Sequence, residues 1–141
     1  MRAYVDTNIF VYSMFAHPKY GMACRTIIDD LESGALEGVV STLVPVEILG
    51  VVIKHNPSRA QLAVTSICSL PMDIIEISRG VLSLAPETAV RYHLSGYDAV
   101  HIAASLDANI EYFISNDDDL RRVEEIELVK PLEYSEWKKK Q

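Results

Sequence analysis

A short apolar run at the N-terminus ends on a carboxylate, and this change of character constrains the fold more than any other feature of the sequence. Residues 2–5 are too few for a helix and predict a buried strand, whereas Asp6, Thr7 and Asn8 are residue types that begin helices. Asp6 is therefore predicted at a strand-to-helix junction. In an open α/β sheet that position faces the crevice at the carboxyl edge of the strands, where ligands and metals bind. A helix cap with no further role is the alternative interpretation of Asp6.

Length and composition predict one globular domain over residues 1–141. Hydrophobic residues make up 49% of the chain and charged residues 23%, and no linker-like segment or internal repeat is visible. No apolar run is long enough to cross a bilayer and no signal peptide is recognised, so a cytoplasmic protein is expected. Cys24 and Cys68 form no C-x-x-C pair, which argues against a disulfide framework and a thiolate zinc site.

The spacing of apolar and turn residues predicts strands that alternate with helices, as in a parallel, doubly wound sheet. The predicted strands are residues 2–5, 38–41, 72–77, 111–114 and 127–129. The predicted helices are residues 7–15, 22–32, 43–53, 59–69, 80–94, 96–106 and 134–140. Thr42 is expected to cap the third helix, and Pro86 suits the start of a second helix within residues 80–94.

One carboxylate, Glu47, interrupts the apolar helix at residues 43–53. This helix is predicted to be buried nearly all round, and an unpaired carboxylate in it would be costly. Glu47 therefore needs a cation, a metal ion or a position at the rim of the core. A side chain that reaches out to solvent is the alternative.

A second helix, predicted at residues 96–106, carries Asp98 in its first turn and His101 three residues later. The helix dipole favours a carboxylate at this position, so a simple cap is the alternative role for Asp98. His101 is the best histidine candidate for a site, and a hydrogen-bonded core histidine is the alternative.

Three consecutive aspartates, residues 117–119, follow the fourth strand and repel one another. A loop with a cap explains one of them, whereas a metal site would explain the others.

These acids can meet if the first and fourth strands are neighbours. Asp6 and Asp117 would then end adjacent strands, and Glu47 and Asp98 would start helices that face the same crevice. Four oxygen ligands with no Cys or His cluster suit Mg²⁺ or Mn²⁺. The net charge of −7 argues against a dedicated nucleic-acid binder, but a bound divalent ion reverses the local sign.

Four motifs follow one another along the chain: Tyr4-Val5-Asp6-Thr7-Asn8, Glu47 after Ser41-Thr42, Tyr97-Asp98-Ala99-Val100-His101-Ile102-Ala103 and Phe113-Ile114-Ser115-Asn116-Asp117. In this order they resemble the motifs of PIN-domain ribonucleases, in particular the small toxins of VapBC-type toxin–antitoxin pairs. The match spans the chain, and Ser115 stands where the family usually has threonine. The resemblance implies a PIN-like three-layer α/β/α fold with a central, mostly parallel sheet of four to five strands.

The same resemblance implies Mg²⁺- or Mn²⁺-dependent endonucleolytic cleavage of RNA with water as the nucleophile. The metal-binding and catalytic acids would be Asp6, Glu47, Asp98 and Asp117, supported by Thr7, Asn8 and Ser115, with Asp119 the alternative to Asp117 as a direct ligand. The expected partners are RNA, a second copy of the chain and an antitoxin protein, and no membrane. The homodimer is also expected because the early apolar residues exceed what one core face can bury: Ile9, Phe10, Tyr12, Met14 and Phe15.

Two other functions remain as alternatives. A phosphohydrolase of the haloacid-dehalogenase type would use Asp6, Thr42, Lys54 and the Asp117-Asp118 pair in that order. That family expects a second aspartate two residues after the first, where this chain has Asn8, and it leaves Glu47 and Asp98 without a role. A binding module that kept the PIN fold and lost catalysis is the second alternative.

Overall fold

Five parallel strands form one central sheet in the computed structural model, which describes all 141 residues. The strands are β1 (Arg2–Val5), β2 (Glu37–Ser41), β3 (Asp73–Ile75), β4 (Tyr112–Ile114) and β5 (Glu127–Val129). Their order across the sheet is β3-β2-β1-β4-β5. The predicted parallel sheet is confirmed, and the bounds of β1 and β5 agree with the sequence prediction.

Seven α-helices connect and cover the strands: α1 (Thr7–Met14), α2 (Gly21–Ser33), α3 (Leu43–His55), α4 (Ala60–Ser69), α5 (Arg79–Tyr92), α6 (Gly96–Asp107) and α7 (Tyr134–Lys139). Short 3₁₀ turns lie at Pro57–Arg59, Asp118–Arg122 and Pro131–Glu133. No helix combines the length and the apolar character that crossing a bilayer would require.

The sheet separates two apolar cores, because successive side chains of a strand point to opposite faces. Ala3 and Val5 of β1 pack in the core that α1, α2, α3, α4 and α7 cover. Tyr4 lies on the other face and packs in the core that α5 and α6 cover. The chain is thus a three-layer α/β/α structure. Gly38 in β2 allows α2 to approach the sheet, since a Cβ atom there would lie 2.3 Å from Leu31 Cδ2.

The central position of β1 decides where the functional residues meet. Tyr4 of β1 is paired with Val39 of β2 on one side and with Phe113 of β4 on the other. Just beyond the strand, the Asp6 amide donates a hydrogen bond to the Ile114 carbonyl at 2.9 Å. The carboxyl ends of β1 and β4 therefore lie side by side, as the sequence argument required, and a crevice opens there between the connections to the helices.

Two local predictions are wrong. Helix α5 continues through Pro86 instead of dividing there, because Val81 and Tyr92 on either side of the proline are both buried in the core shared with α6. Thr42 does not cap α3: its backbone already has helical dihedral angles, and its hydroxyl accepts a hydrogen bond from the Ile77 amide at 3.3 Å.

The prediction that α3 is buried nearly all round is also wrong. Its buried residues, Val44, Ile48 and Val52, lie on one stripe. On the other side Val46 is 61% exposed and Ile53 is 50% exposed. Glu47 lies between these two sides. One side of α3 thus faces the core and the other faces solvent, although the residues of both sides are mainly apolar.

The early helix that was expected to supply a dimer surface is only partly exposed. Ile9 and Phe10 are fully buried in the core, whereas Met14 and Phe15 at the end of α1 are 41% and 43% exposed. At the other end of the chain, Tyr134 and Trp137 share the buried face of α7, as predicted, with ring centroids 5.7 Å apart.

Candidate functional site

Asp6 lies at the bottom of the crevice, immediately after β1, with 5% of its surface exposed. Its Oδ1 accepts a hydrogen bond from the Thr7 amide at 2.7 Å, so Asp6 does cap α1. Its Oδ2 accepts a hydrogen bond from the Ser115 hydroxyl at 2.7 Å. One carboxylate therefore begins a helix and also joins β1 to the loop after β4.

Asn8 and Ser115 tie the two strand ends together. The Asn8 amide nitrogen donates to Ser115 Oγ at 3.0 Å, and Asn8 Oδ1 accepts from the Asn116 backbone amide at 3.1 Å. Ser115 Oγ also accepts from the Asp117 backbone amide at 3.1 Å. These bonds fix the backbone on which Asp117 stands relative to Asp6.

We expect Ser115→Ala to lower the free energy of unfolding by about 2 kcal/mol, because it removes a hydrogen bond to a buried carboxylate and leaves the Asp117 amide without its acceptor. Ser115→Thr keeps the hydroxyl and should lose less than half as much. Urea unfolding followed by circular dichroism measures both differences. Equal losses in the two variants would show that the hydroxyl has no such role.

Glu47 meets His101 above Asp6, where α3 approaches α6. The His101 Nε2 atom donates to Glu47 Oε1, and the Thr7 hydroxyl donates to the same oxygen at 2.8 Å. His101 Nε2 also lies 3.8 Å from Asp6 Oδ1. Glu47 thus has the partners that its place in an apolar helix required, and His101 is in contact with the predicted acids.

The far side of the His101 ring is held by Tyr4. Its hydroxyl lies 2.7 Å from His101 Nδ1, donates to Ser41 Oγ at 2.8 Å and accepts from the Ser41 amide. Together with the bond from Nε2 to Glu47, these contacts fix the orientation of the buried imidazole ring.

Sequence reasoning missed Tyr4 and Ser41. Tyr4 lies within the Tyr4–Asn8 motif but is an ordinary buried strand residue by pattern, and Ser41 ends β2. The signal that can find Tyr4 is the period of two in a strand, which places its side chain on the same face as Asp6.

Asp98 and Asp117 complete the cluster from the outer side of the crevice, and both are partly exposed. The Asp98 amide donates to Ser95 Oγ at 3.2 Å, so Ser95 is the cap of α6 and Asp98 is not. Asp117 Oδ1 caps the following 3₁₀ turn by accepting from the Asp119 amide at 2.9 Å. Burial, together with the negative charges of Asp6 and Asp117, raises the pKa of Asp98 to about 6.

The pKa values inside the crevice follow from burial and from His101. Burial raises the pKa of Asp6, although the charge of His101 and the Ser115 hydrogen bond act in the opposite direction. Burial also acts to raise the pKa of Glu47, but the hydrogen bonds from His101 and Thr7 bring that pKa below its ordinary value. Burial acts to lower the pKa of His101, yet its hydrogen bond to Glu47 and the nearby carboxylates raise the pKa overall.

The other two aspartates of the run at residues 117–119 are engaged elsewhere. Asp118 Oδ1 lies 2.8 Å from Lys130 Nζ, and Asp119 Oδ1 lies 3.0 Å from Arg122. Both carboxylates are on the surface. Ion pairs and a cap therefore account for all three aspartates, and Asp117 is the member whose charge acts on Asp98.

The cluster has the charge and the ligand type that suit a hard divalent cation. None of its four carboxylates, Asp6, Glu47, Asp98 and Asp117, is paired with lysine or arginine, and His101 is their one cationic contact. As the side chains stand, no three Asp, Glu, His or Cys residues converge closely enough to enclose an ion. The residues fit Mg²⁺ or Mn²⁺ in chemistry, and closing on an ion requires the partly exposed Asp98 and Asp117 side chains to turn.

An open, largely apolar groove of about 610 Å³ lies beside the cluster, between α3, α5 and α6. It is lined by Tyr97 and Val46, the direct chain neighbours of Asp98 and Glu47, and by Thr42, Leu43, Ile77, Leu82, Gly96 and Val100. Tyr97 is 65% exposed.

Comparison with known proteins gives a consistent family. A family model described as the PIN domain matches residues 3–126. A search of curated protein sequences found no match.

Three solved structures illustrate the likeness in fold. VapBC2 from Rickettsia felis, bound to a promoter DNA fragment, has a TM-score of 0.73 at 18% identity and covers 92% of this chain and 98% of that chain. DNA-bound VapBC from Salmonella typhimurium has a TM-score of 0.73 at 13% identity, with 93% and 98% covered. VapC20 from Mycobacterium tuberculosis, described as a sarcin–ricin loop cleaving toxin, has a TM-score of 0.72 at 17% identity, with 86% and 95% covered.

Proposed function

The chain belongs to the PIN-domain family, and from this premise we propose that it is a metal-dependent endoribonuclease that hydrolyses phosphodiester bonds with water as the nucleophile. Residues 1–141 act as one domain in this proposal, since all five strands belong to one sheet. The observation that carries the proposal is the group of carboxylates at the carboxyl ends of β1 and β4, where no lysine or arginine balances their charge.

In the proposed mechanism Asp6, Glu47, Asp98 and Asp117 hold Mg²⁺ or Mn²⁺. When bound, the ion supplies an activated water and stabilises negative charge that develops on the phosphate. Asp6 is oriented by Ser115 and by the Thr7 amide. Asn8 holds the loop that carries Asp117. The chain therefore provides rigid placement on one side of the ion and adjustable ligands on the other.

RNA is the proposed substrate because the family resemblance implies it, and because one protein of similar fold is described as cleaving the sarcin–ricin loop. A chain with a net charge of −7 has little general attraction for phosphate. The ion reverses this repulsion at the site itself. Binding should therefore depend on the metal more strongly than on the concentration of monovalent salt.

A toxin of a toxin–antitoxin pair is the proposed biological role, with an antitoxin protein and a second copy of the chain as partners. The support for an antitoxin is that the similar structures from Rickettsia felis and Salmonella typhimurium are VapBC complexes. The support for a homodimer is the apolar surface that the fold leaves exposed, which includes Met14, Phe15, Val46 and Leu82.

The haloacid-dehalogenase alternative loses its basis. The family match is to the PIN domain, and the position of the second aspartate holds Asn8, whose amide has no acidic proton to give and instead bonds to Ser115 and Asn116. A PIN-fold module without catalysis remains as an outcome of the test below.

The test is cleavage of end-labelled single-stranded RNA in EDTA and after addition of excess Mn²⁺. We expect no cleavage in EDTA and endonucleolytic products in Mn²⁺, with Asp6→Asn protein purified in parallel to exclude a contaminating nuclease. Cleavage that persists in EDTA would contradict a metal mechanism. No cleavage of any RNA in Mn²⁺ would favour the binding module.

A further inference from the structure

The carboxylates of this chain are unevenly distributed along the sequence. Residues 7–28 and 48–72 make up a third of the chain and contain none of its 20 acidic residues. Their formally charged residues are Lys19, Arg25, Lys54 and Arg59. A chain of net charge −7 therefore has two long segments that carry only positive charge. This asymmetry indicates a surface that attracts anions.

The fold brings the two segments together in one layer. They contain α1, the first two turns of α2, most of α3 and all of α4, and these helices cover the same face of the sheet. Helix α1 packs against α2 and α3, and α3 packs against α4. The rings of Phe15 and His55 lie 5.1 Å apart and join the end of α1 to the end of α3. The positive charge of one segment thus adds to that of the other.

Three of the four basic residues in this layer are not paired with a carboxylate. Arg25 is paired with two acids of its own helix. In contrast, Lys19, Lys54 and Arg59 are exposed and form no ion pair. Seven of the nine basic residues outside the two segments do form ion pairs. The cations of this layer are therefore free to contact an added anion, whereas most of the others are already neutralised.

Aromatic side chains lie beside these cations. Lys19 Nζ is 5.3 Å from the centre of the Tyr20 ring, which stacks on Tyr12 with centroids 5.7 Å apart. Phe15 follows Tyr12 by three residues and is 43% exposed. Proteins that bind single-stranded nucleic acid combine these two features, because cations contact the phosphates and bases stack on the rings. An acidic protein segment would meet the charges but would bring no base to the rings.

The layer begins at the carboxylate crevice. Helix α1 starts at Thr7, next to Asp6, and its eight residues place Phe15 about 12 Å away along the helix axis. A stacked strand advances about 3.4 Å per nucleotide, so this distance corresponds to roughly four nucleotides. A strand with one phosphate in the crevice can therefore reach Phe15 with the segment that flanks it.

We infer that a basic face, made of Lys19, Lys54, Arg59, Phe15 and Tyr20, binds the single-stranded RNA that flanks the phosphate in the crevice. The three cations contact phosphates, and Phe15 stacks on a base. The inference rests on the proposed function in taking RNA as the substrate. It explains how a chain of net charge −7 holds more of the strand than the one phosphate at the ion.

The basic face is separate from the apolar groove between α3, α5 and α6. Val46 lines that groove near the start of α3, whereas His55, which contacts Phe15, ends the same helix. Nine residues of helix, or about 13 Å, separate Val46 from His55. A second copy of the chain seated in the groove therefore leaves the basic face open to RNA.

The first test measures RNA binding in EDTA, by the fluorescence anisotropy of labelled single-stranded RNA of roughly twelve nucleotides. For Lys19→Gln/Lys54→Gln/Arg59→Gln we expect a Kd at least about tenfold above that of the parent chain near 0.1 M salt. The slope of log K against log salt between about 50 and 200 mM should become shallower by about 2, since each phosphate contact on a single strand contributes ~0.7. Circular dichroism checks that the variant is folded.

The matched control removes the same charge from the amino edge of the sheet and from the end of α7. It is Arg2→Gln/Lys139→Gln/Lys140→Gln, whose three side chains are exposed. Its Kd should rise less than about threefold, with a slope within ~0.7 of the parent. Equal losses in the two triple variants would show that net charge alone sets the affinity and would overturn the inference. Unchanged binding by the first variant would also overturn it and would favour an acidic protein segment as the partner.

The second test isolates the stacked base. Phe15→Ala should raise the Kd for RNA at least about fivefold without a change in salt slope, because it removes a ring and no charge. Phe15→Tyr keeps a ring and should bind as the parent does. Met14→Ala shortens a neighbouring apolar side chain that is 41% exposed, and it should have little effect. Equal losses in Phe15→Ala and Met14→Ala would contradict stacking.

The outcomes separate this inference from the proposed function. A chain that binds RNA through the basic face in EDTA but cleaves none in Mn²⁺ contradicts the proposed function and leaves the inference standing. A chain that cleaves RNA in Mn²⁺, while its first triple variant keeps the KM and salt dependence of the parent, contradicts the inference alone. A parent chain that binds no RNA in EDTA also contradicts the inference, whether or not it cleaves in Mn²⁺.

Discussion

Replacing Asp98 by asparagine should lower kcat/KM for RNA cleavage at least about a thousandfold, which corresponds to ~4 kcal/mol of transition-state stabilisation. The variant keeps the size of the side chain, and the backbone amide of residue 98 keeps its bond to Ser95. It removes one of the three aspartates that we propose as ligands. Cleavage in saturating Mn²⁺ measures the effect, and an unchanged circular dichroism spectrum shows that the fold is retained.

The matched control is Asp118→Asn, the same chemical change next to Asp117. Asp118 points to the surface, where it pairs with Lys130 and Arg121. Surface ion pairs contribute little, so cleavage should change less than about threefold. A similar loss of activity in both variants would mean that general negative charge, not a specific ligand, is what matters.

The second large effect is on stability and has opposite signs with and without metal. In EDTA at pH 7.5 we expect Asp98→Asn to be more stable than the parent chain, because it removes a carboxylate whose charge is disfavoured by burial and by the nearby charges of Asp6 and Asp117. A pKa of about 6 corresponds to a nominal ~3 kcal/mol. Because Asp98 is partly exposed, solvent screening reduces this to about 1 kcal/mol, or roughly 3 °C in Tm.

The stability difference between Asp98→Asn and the parent chain should depend on pH in a definite direction. The folded chain holds the Asp98 proton more tightly than the unfolded chain does, so this group makes the parent less stable as pH rises from about 4 through 6. Above that range the loss of stability caused by ionised Asp98 is complete, and below about pH 4 it is absent. The difference in Tm between Asp98→Asn and the parent should therefore shrink as pH falls through 6.

Metal should reverse the order of the two proteins. Mn²⁺ at a hundredfold its Kd stabilises the parent by about 2.7 kcal/mol if it binds only the folded chain. Asp98→Asn lacks a ligand and should gain much less. Thermal unfolding in EDTA and in Mn²⁺ measures both effects. If the variant melts below the parent in EDTA and Mn²⁺ raises both equally, Asp98 is a structural residue and not a ligand.

The outline of the site can be predicted from the sequence because its acids stand at strand and helix ends. Asp6 follows a recognisable strand, and Asp117 follows another, so the parallel sheet alone brings them to one edge. Asp98 lies in a first helical turn that the Ser95-Gly96 pair marks in the sequence. These signals are local in the sequence, and the parallel sheet brings the residues that they mark together in one crevice.

The contacts of Glu47 could not be predicted in the same way. Its partners His101 and Thr7 are 54 and 40 residues away, and no periodic pattern connects them. The amphipathic character of α3 was missed because its exposed side is as apolar as its buried side, so composition carries no signal for which side faces solvent. Pro86 was misjudged because tertiary packing against α6 outweighs the local tendency of proline to break a helix.

The pairing of β1 with β4 has a consequence for the time at which the site first exists during synthesis. The hydrogen bond from Ser115 to Asp6 spans 109 residues, and β1 lies between β2 and β4. A growing chain that has made Asp6 and Glu47 still lacks His101, Asp98, Asp117 and the strand that closes the crevice. Contacts this distant in sequence form late and slowly. On a ribosome the nascent chain thus carries incomplete parts of the site until more than three-quarters of it has been made.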